Sequence, residues 1–275
     1  MAVRMRINGA AADQVPALDR GLAYGDGLFE SIRFVGAVAP LWLRHMRRLS
    51  ESCERLRIPA PDAAQLWREA LEVTLGMPQA VVRITVTRGV GARGYALPAS
   101  PRPMRVVAAS APPQVADSAY VQGVRMRVCD IRLAEQPLLA GMKHLNRLEQ
   151  VLARAEWSDP AIAEGVLCDS HGRVISATMA NLFAVVDGVL LTPSLDRCGV
   201  AGVARAEVLA TYPQTQVGEL MLDTLLGANE IFLSSSVRGI LPVHSLCERS
   251  YAPGALTRQL QLHWHNLGFS MEQAE

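Results

Sequence analysis

The apolar residues of this chain keep two rhythms. In "WLRHMRRLSESCERLRI", Leu43, Met46, Leu49, Cys53 and Leu56 recur at helical spacing, which predicts an amphipathic helix. "DAAQLWREALEVTL" predicts a second helix, with Asp62 as its N-cap. "LFESIRFV" has strand character, and "QAVVRITVTRG" and "MRVVAASAPP" read as strands around the loop "GVGARGYALPASPRP". Ahead of these, "MRINGAAAD" reads as a strand, a turn at Asn8-Gly9 and a return strand, and Gly25, Asp26 and Gly27 as a tight turn. Residues 1–112 are therefore expected to form an α+β domain, and the Pro-rich stretch 113–122 a linker.

From residue 123 the pattern changes. "VRMRVCDIR" alternates like a strand, and "HLNRLEQVLARAEW" reads as a helix with Leu145, Leu148, Val151 and Leu152 on one side. "AEGVLCDSHGRVISATMANLFAVVDGVLLTP" is a run of short strands with turns at Ser170 to Gly172 and at Asp187-Gly188. "GVAGVARAEVLATY" is a helix opened by glycine, "ANEIFLSSSVRGILPV" is strand, polar turn and strand, and "GALTRQLQLHWHNLG" is a closing helix. These segments make a second domain, 123–275, and the fold class is mixed α/β (α+β).

Composition adds limits. At 275 residues, 50% hydrophobic and 19% charged, the chain can bury a sizeable core. A net charge of +1 and basic residues spread without aromatic interleaving give no reason to expect a nucleic-acid partner. The opening "MAVRMRINGAAADQV" turns polar too soon for a signal peptide, and no apolar run reaches the roughly 18 residues of a membrane span. The expectation is a cytoplasmic protein with no membrane partner. Five scattered cysteines without a C-x-x-C read as buried free thiols, and no metal site is expected, "HWH" at 263–265 included.

One residue type stands apart. Of 27 Lys plus Arg, a single one is lysine, Lys143 in "LLAGMKHLNRLEQVL". A chain that writes its surface cations as arginine needs lysine only where arginine cannot serve. Guanidinium stays protonated, whereas an amine can become neutral and attack a carbonyl. Lys143 is thus a candidate for imine chemistry with a substrate or with pyridoxal phosphate (PLP); the alternative is a chance survivor on a solvated helix face. PLP also needs an anion cradle. The N–H groups of Val203 and Ala204, at a predicted helix N-terminus, and the hydroxyls of "SSS" at 234–236 are candidates.

In this order, "DRGLAYGDGLFESIR", "HMRRL", "TRGVGARGYAL", "GMKHLNRLEQ", "GRVISATMANLF", "GVAGVAR" and "EIFLSSSVRGILPV" resemble the fold-type IV PLP enzymes. That family includes branched-chain and D-amino acid aminotransferases and aminodeoxychorismate lyase. "RGVGARGY" and "KHLNRLEQ" resemble the lyase most. The resemblance implies a small N-terminal α+β domain, a larger C-terminal β-barrel-like domain with flanking helices, and a homodimer. It implies Lys143 as the Schiff-base lysine, Arg48, Val203, Ala204, Ser235 and Ser236 at the cofactor phosphate, and Asn181 beside the cofactor. It implies Ser31 in proton delivery, and Arg93 and Tyr95 on a substrate-facing loop.

The activity implied is elimination of pyruvate from 4-amino-4-deoxychorismate, giving p-aminobenzoate on the route to folate. The alternatives are a D-amino acid or branched-chain aminotransferase and a non-catalytic PLP-binding protein. One position departs from the family's pattern. Where its V-T-E motif places a glutamate for the pyridine nitrogen, this chain has Ser176 in "VIS". A hydroxyl leaves that nitrogen less protonated. Such a ring stabilises the carbanion of transamination poorly, yet tolerates an elimination whose leaving group departs as charge develops.

Overall fold

The computed structural model describes residues 4–269. The chain divides into two compact units: residues up to Pro112 together with Met142–Asn146, and Pro113–Gly141 together with Arg147 onward.

In the first unit the elements run β1 (Arg4–Ile7), α1 (Arg20–Tyr24), β2 (Gly27–Val35), α2 (Trp42–Leu56), α3 (Ala63–Thr74), β3 (Gln79–Thr87) and β4 (Met104–Ser110). The strands form an antiparallel sheet in the order β1-β4-β3-β2. Alternation in β2 buries Leu28, Ile32 and Phe34, and α2 lies on that strand with Met46, Leu49 and Cys53 inward. Leu43, read into the same apolar stripe, is exposed. The Asp62 carboxylate accepts from the Ala64 N–H at 2.8 Å and opens α3 as expected.

One local expectation fails, and one short helix has no counterpart in the periodic pattern. The return strand after Asn8-Gly9 is limited to one bridge, Ile7 with Ala10, because β1 pairs along its length with β4 instead. "RGLAY" is a short helix, capped by the Asp19 carboxylate on the Gly21 N–H at 2.8 Å and closed by Gly25 in the left-handed region at φ 67°.

The segment 142–146 runs beside β2. The Phe29 N–H donates to the Lys143 carbonyl at 2.9 Å, and the Leu145 N–H donates to the Gly27 carbonyl at 3.0 Å. Gly27 is needed here: a Cβ on it would lie 2.9 Å from Leu145 Cδ1 and 2.5 Å from the Val86 carbonyl oxygen. The helix read from His144 therefore starts only at Leu148, since strand-like pairing has already committed the backbone of 143 and 145.

The second unit holds α4 (Asp117–Val121), β5 (Val124–Leu133), α5 (Leu148–Ala155), β6 (Ile162–Asp169), β7 (Val174–Ala177), β8 (Asn181–Val186) and β9 (Val189–Pro193). It continues with α6 (Val203–Thr211), β10 (Gln216–Gly218), α7 (Leu222–Leu226), β11 (Glu230–Ser235), β12 (Gly239–Leu246), β13 (Arg249–Ser250) and α8 (Ala255–Asn266). Its sheet runs β10-β9-β8-β11-β12-β5-β6-β7 with β13 on β12. The sheet curls, so that β7 at one end meets β8 and β9. Leu182, Ala184, Leu233, Val243 and Leu246 fill the core of one face. On the other face of the central strands, Phe183 and Phe232 are paired across β8 and β11 and stack at 4.9 Å. Helices α6 and α8 pack on β11 and β12. Leu148, Val151 and Leu152 of α5, read as lying on one side of the helix, are exposed.

Candidate active site

In the first unit the site residues gather on β2. Lys143 is partly buried, and its Nζ lies 4.2 Å from the centroid of the Phe29 ring. The Arg83 guanidinium sits 4.0 Å from the same centroid. Two cations thus share one aromatic ring, and burial lowers the pKa of Arg83. Ser31 lies two residues along β2 from Phe29, opposite Arg83 in the register.

The opposite face of β2 carries Glu30, at a position where the strand's alternation otherwise places Leu28 and Ile32 in the core. A carboxylate there needs partners, and α2 supplies two. Arg48 Nε donates to Glu30 Oε1 at 2.8 Å, and Arg48 Nη2 donates to Glu30 Oε2. His45 Nδ1 lies 2.6 Å from Glu30 Oε2. Burial pushes the Glu30 carboxyl upward, but the Arg48 charge and the His45 hydrogen bond overcome it and hold the pKa at about 2.

His45 moves the other way. Burial lowers its pKa, the Glu30 bond opposes that, and the positive charges of Arg48 and Lys143 add to the lowering. His45 is therefore neutral at physiological pH. It donates from Nδ1, and its Nε2 is buried without a partner. Arg48 was expected at the site from sequence. Glu30, His45, Phe29 and Arg83 were not, although a glutamate on the core phase of "LFESIRF" was a readable signal.

Arg93 and Tyr95 stand on the loop between β3 and β4, and Tyr95 is 85% exposed. Within the first unit they do not join the group around Lys143.

In the second unit Asn181 opens β8 and reaches the loop before α6. Its Nδ2 donates to the Val200 carbonyl at 2.9 Å, and its Oδ1 accepts from the Gly202 N–H at 3.0 Å. Gly202 is the N-cap residue of α6 and offers no side chain to the helix, so Val203 and Ala204 begin a buried helix N-terminus without a side-chain cap. A Cβ at Gly202 would lie 2.0 Å from Asn181 Oδ1. Across the sheet, Ser234 pairs with Asn181 in register, and Ser234 Oγ is buried without a partner. Ser235 Oγ accepts from the Val237 and Arg238 N–H groups at 3.3 Å each, shaping the turn that carries Ser236.

Ser176 is buried on β7 opposite Leu167 of β6. Glu164, also on β6, was missed by sequence reasoning. Its carboxylate is fully buried; it accepts from Arg238 Nη2 and from the Thr178 hydroxyl, and from the Met179 N–H at 3.1 Å. Strand alternation puts Glu164 on the opposite face of β6 from Leu167 and Ser176.

The first unit thus holds an amine on an apolar ring and a guanidinium locked by a carboxylate, and the second holds a helix start without a side-chain cap, groups chemically suited to a carbonyl and to an anion. The chain matches the family described as amino-transferase class IV over residues 27–246, and it belongs to that family. Its members are PLP-dependent enzymes of fold type IV. An aminodeoxychorismate lyase of Vibrio harveyi is 37% identical over 264 residues, covering 93% of this chain and 97% of that protein. The structure of 4-amino-4-deoxychorismate lyase from Pseudomonas aeruginosa superposes with a TM-score of 0.91 at 46% identity, covering 95% of this chain and 98% of that one. The branched-chain amino acid aminotransferase of Escherichia coli superposes with a TM-score of 0.84 at 25% identity, over 98% and 96%.

Proposed function

We propose that this protein is a PLP-dependent 4-amino-4-deoxychorismate lyase, releasing pyruvate and forming p-aminobenzoate for folate synthesis. The observation that carries this reading is the seat of the chain's one lysine: Lys143 is paired through its backbone to β2, with its Nζ on the Phe29 ring. The likeness to two lyases over nearly the whole chain supports the choice of reaction.

The residues present fit the cofactor. The buried, unpartnered Ser234 Oγ and the uncapped start of α6 are donors suited to an anion. Lys143 would supply the amine for the aldehyde and Arg48 a charge for the phosphate. Val203, Ala204, Ser235 and Ser236 would supply donors to the phosphate, Asn181 holds the loop before α6, and Ser176 would be the group offered to the pyridine nitrogen. When bound, PLP supplies an aldehyde that takes up an amine and a ring that accepts electrons.

The protein's own groups do the rest. Lys143 Nζ would act as the general base that takes the proton from the substrate's amine-bearing carbon. Ser31 Oγ, two residues from Phe29 on β2, would deliver a proton to the departing enolpyruvyl oxygen, and the proton taken by Lys143 would replace it; the alternative is delivery by Lys143 itself. Arg93 and Tyr95 contact the substrate's carboxylates and ring. Ser176 keeps the reaction on elimination rather than transamination. Glu164 does not replace it as a carboxylate, because Arg238 and Thr178 already hold Glu164 on the other face of β6.

The exposed Leu148, Val151 and Leu152 on α5 support a homodimer. The buried free thiols of Cys53, Cys129, Cys168 and Cys198 support a cytoplasmic location. No helix among the described residues is long and apolar enough to cross a membrane.

The test supplies aminodeoxychorismate and couples pyruvate to lactate dehydrogenase. The wild-type protein should release pyruvate. Lys143→Arg should lose at least about a thousandfold in rate, together with the absorbance of lysine-bound cofactor. A Lys143→Arg protein that stayed yellow and active would overturn the reading. Release of a keto acid from an amino donor, without pyruvate from aminodeoxychorismate, would replace it with an aminotransferase.

A further inference from the structure

We infer that Tyr24 and Arg20 are positioning residues that hold the loop bearing Arg93 and Tyr95 in its working shape, by gripping Gly94 at both its N–H and its carbonyl. The inference rests on the reading of that loop as substrate-facing.

Gly94 sits between the two exposed side chains, at φ 97°, a backbone conformation that favours glycine. A Cβ there would meet nothing within 4 Å, so the requirement for glycine is conformational. The Gly94 N–H donates to the Tyr24 hydroxyl at 3.1 Å. The Gly94 carbonyl accepts from Arg20 Nη1 at 2.9 Å. The Arg20 guanidinium lies 4.9 Å from the centroid of the Tyr24 ring, and that ring lies 5.5 Å from the ring of Tyr95. Gly91 lets the loop pass close by: a Cβ on it would come within 2.9 Å of Arg20 Cδ.

The grip is anchored below. Arg20 Nε donates to Asp26 Oδ2 at 2.8 Å. Arg88 holds the same carboxylate through Nε at 2.8 Å and Nη2 at 2.9 Å. Arg88 in turn donates to the Leu56 and Arg57 carbonyls at 2.8 Å each, where α2 ends. Arg20 and Arg88 are both buried. Burial raises the pKa of Asp26, but the two arginines overcome it and keep the carboxyl ionised.

An exposed loop has little packing of its own to order it. Here a buried Arg–Asp–Arg base reaches out through Arg20 and Tyr24 to the one residue between the two proposed substrate contacts. Tyr24 and Arg20 act through the loop rather than on the substrate, and ordering the loop beforehand raises apparent affinity.

The test uses the full-length protein with PLP bound and the variant Tyr24→Phe, which keeps the ring and removes the acceptor. Trypsin cuts after Arg93, at the peptide bond whose N–H the Tyr24 hydroxyl holds. Limited digestion followed by mass spectrometry should show about fivefold faster cleavage at that bond, the scale of one lost hydrogen bond. KM for aminodeoxychorismate should rise about fivefold, with kcat within about twofold and bound-cofactor absorbance unchanged. Arg20→Lys, which keeps the charge on Asp26 but shortens the reach, should move both readouts the same way.

Equal cleavage in wild type and Tyr24→Phe overturns the grip. Faster cleavage with unchanged KM overturns the positioning role. Should the wild-type protein release no pyruvate, the lyase reading fails, and cleavage still decides the grip on its own.

Discussion

Glu30 in the first unit and Glu164 in the second are the same device put to different uses. Each is a fully buried carboxylate holding an arginine whose side chain is 13% exposed. Glu30 spends its remaining capacity on the His45 imidazole, so both its partners come from one helix, α2. Glu164 instead takes the Thr178 hydroxyl and the Met179 N–H, and so ties β6 to the turn after β7 and, through Arg238, to the turn after β11. One pair joins a helix to a strand and aims a guanidinium. The other shapes two turns. A buried ion pair gives little net stability over an apolar substitute, but breaking it by removing one partner is costly. Both pairs therefore read as devices of geometry, and each makes a prediction that can separate the two roles.

The largest effect belongs to Glu164→Ala. It strands Arg238 and releases the hydroxyl and N–H of the turn at 178–179, so stability should fall by about 3–5 kcal/mol in urea unfolding. A loss below about 1 kcal/mol would show that water reaches this pair and that the turns do not depend on it.

Glu30→Gln comes next, because it keeps the shape and removes only the charge. Stability should fall by about 2–3 kcal/mol, and PLP affinity should fall with it as Arg48 loses its fixed aim. The pH dependence carries the sign. The folded pKa of Glu30, about 2, lies below its ordinary value of 4.5, so its contribution is fully present above about pH 4.5 and is lost as pH falls toward 2. Wild-type stability should therefore drop across that window, and the Glu30→Gln curve should be flatter there. Parallel curves would sink the assignment.

The smallest effect probes the start of α6 without touching either carboxylate. Gly202→Ala keeps an allowed backbone, at φ −66°, but places a methyl on Asn181 Oδ1. Asn181 must give up its bonds to Gly202 and Val200, at a cost of about 1–2 kcal/mol. PLP affinity, read by cofactor fluorescence, should weaken about tenfold. Unchanged affinity would remove the start of α6 from the phosphate's surroundings.

Much of this was legible in the chain. The helices α2, α3, α6 and α8 and the strands β3 to β5 follow from local periodicity and capping, because those signals act within a few residues. The lone lysine was visible as a chemical exception. Less legible were the partners of buried charges. Glu30 and Glu164 announce by their placement among core residues that something must neutralise them, but nothing local says that it is Arg48 and His45 in one case and Arg238 in the other.

What the sequence by itself determined is the chemistry available: one amine, a helix opened by glycine and a serine-rich turn. What only the tertiary structure decided is where the lysine segment goes. Local pattern favoured a helix from His144, but pairing with β2 outweighed it. A strand edge satisfies the backbone of 143 and 145 at once and seats the lysine on Phe29, whereas one more helical turn would have left that edge of β2 unpaired.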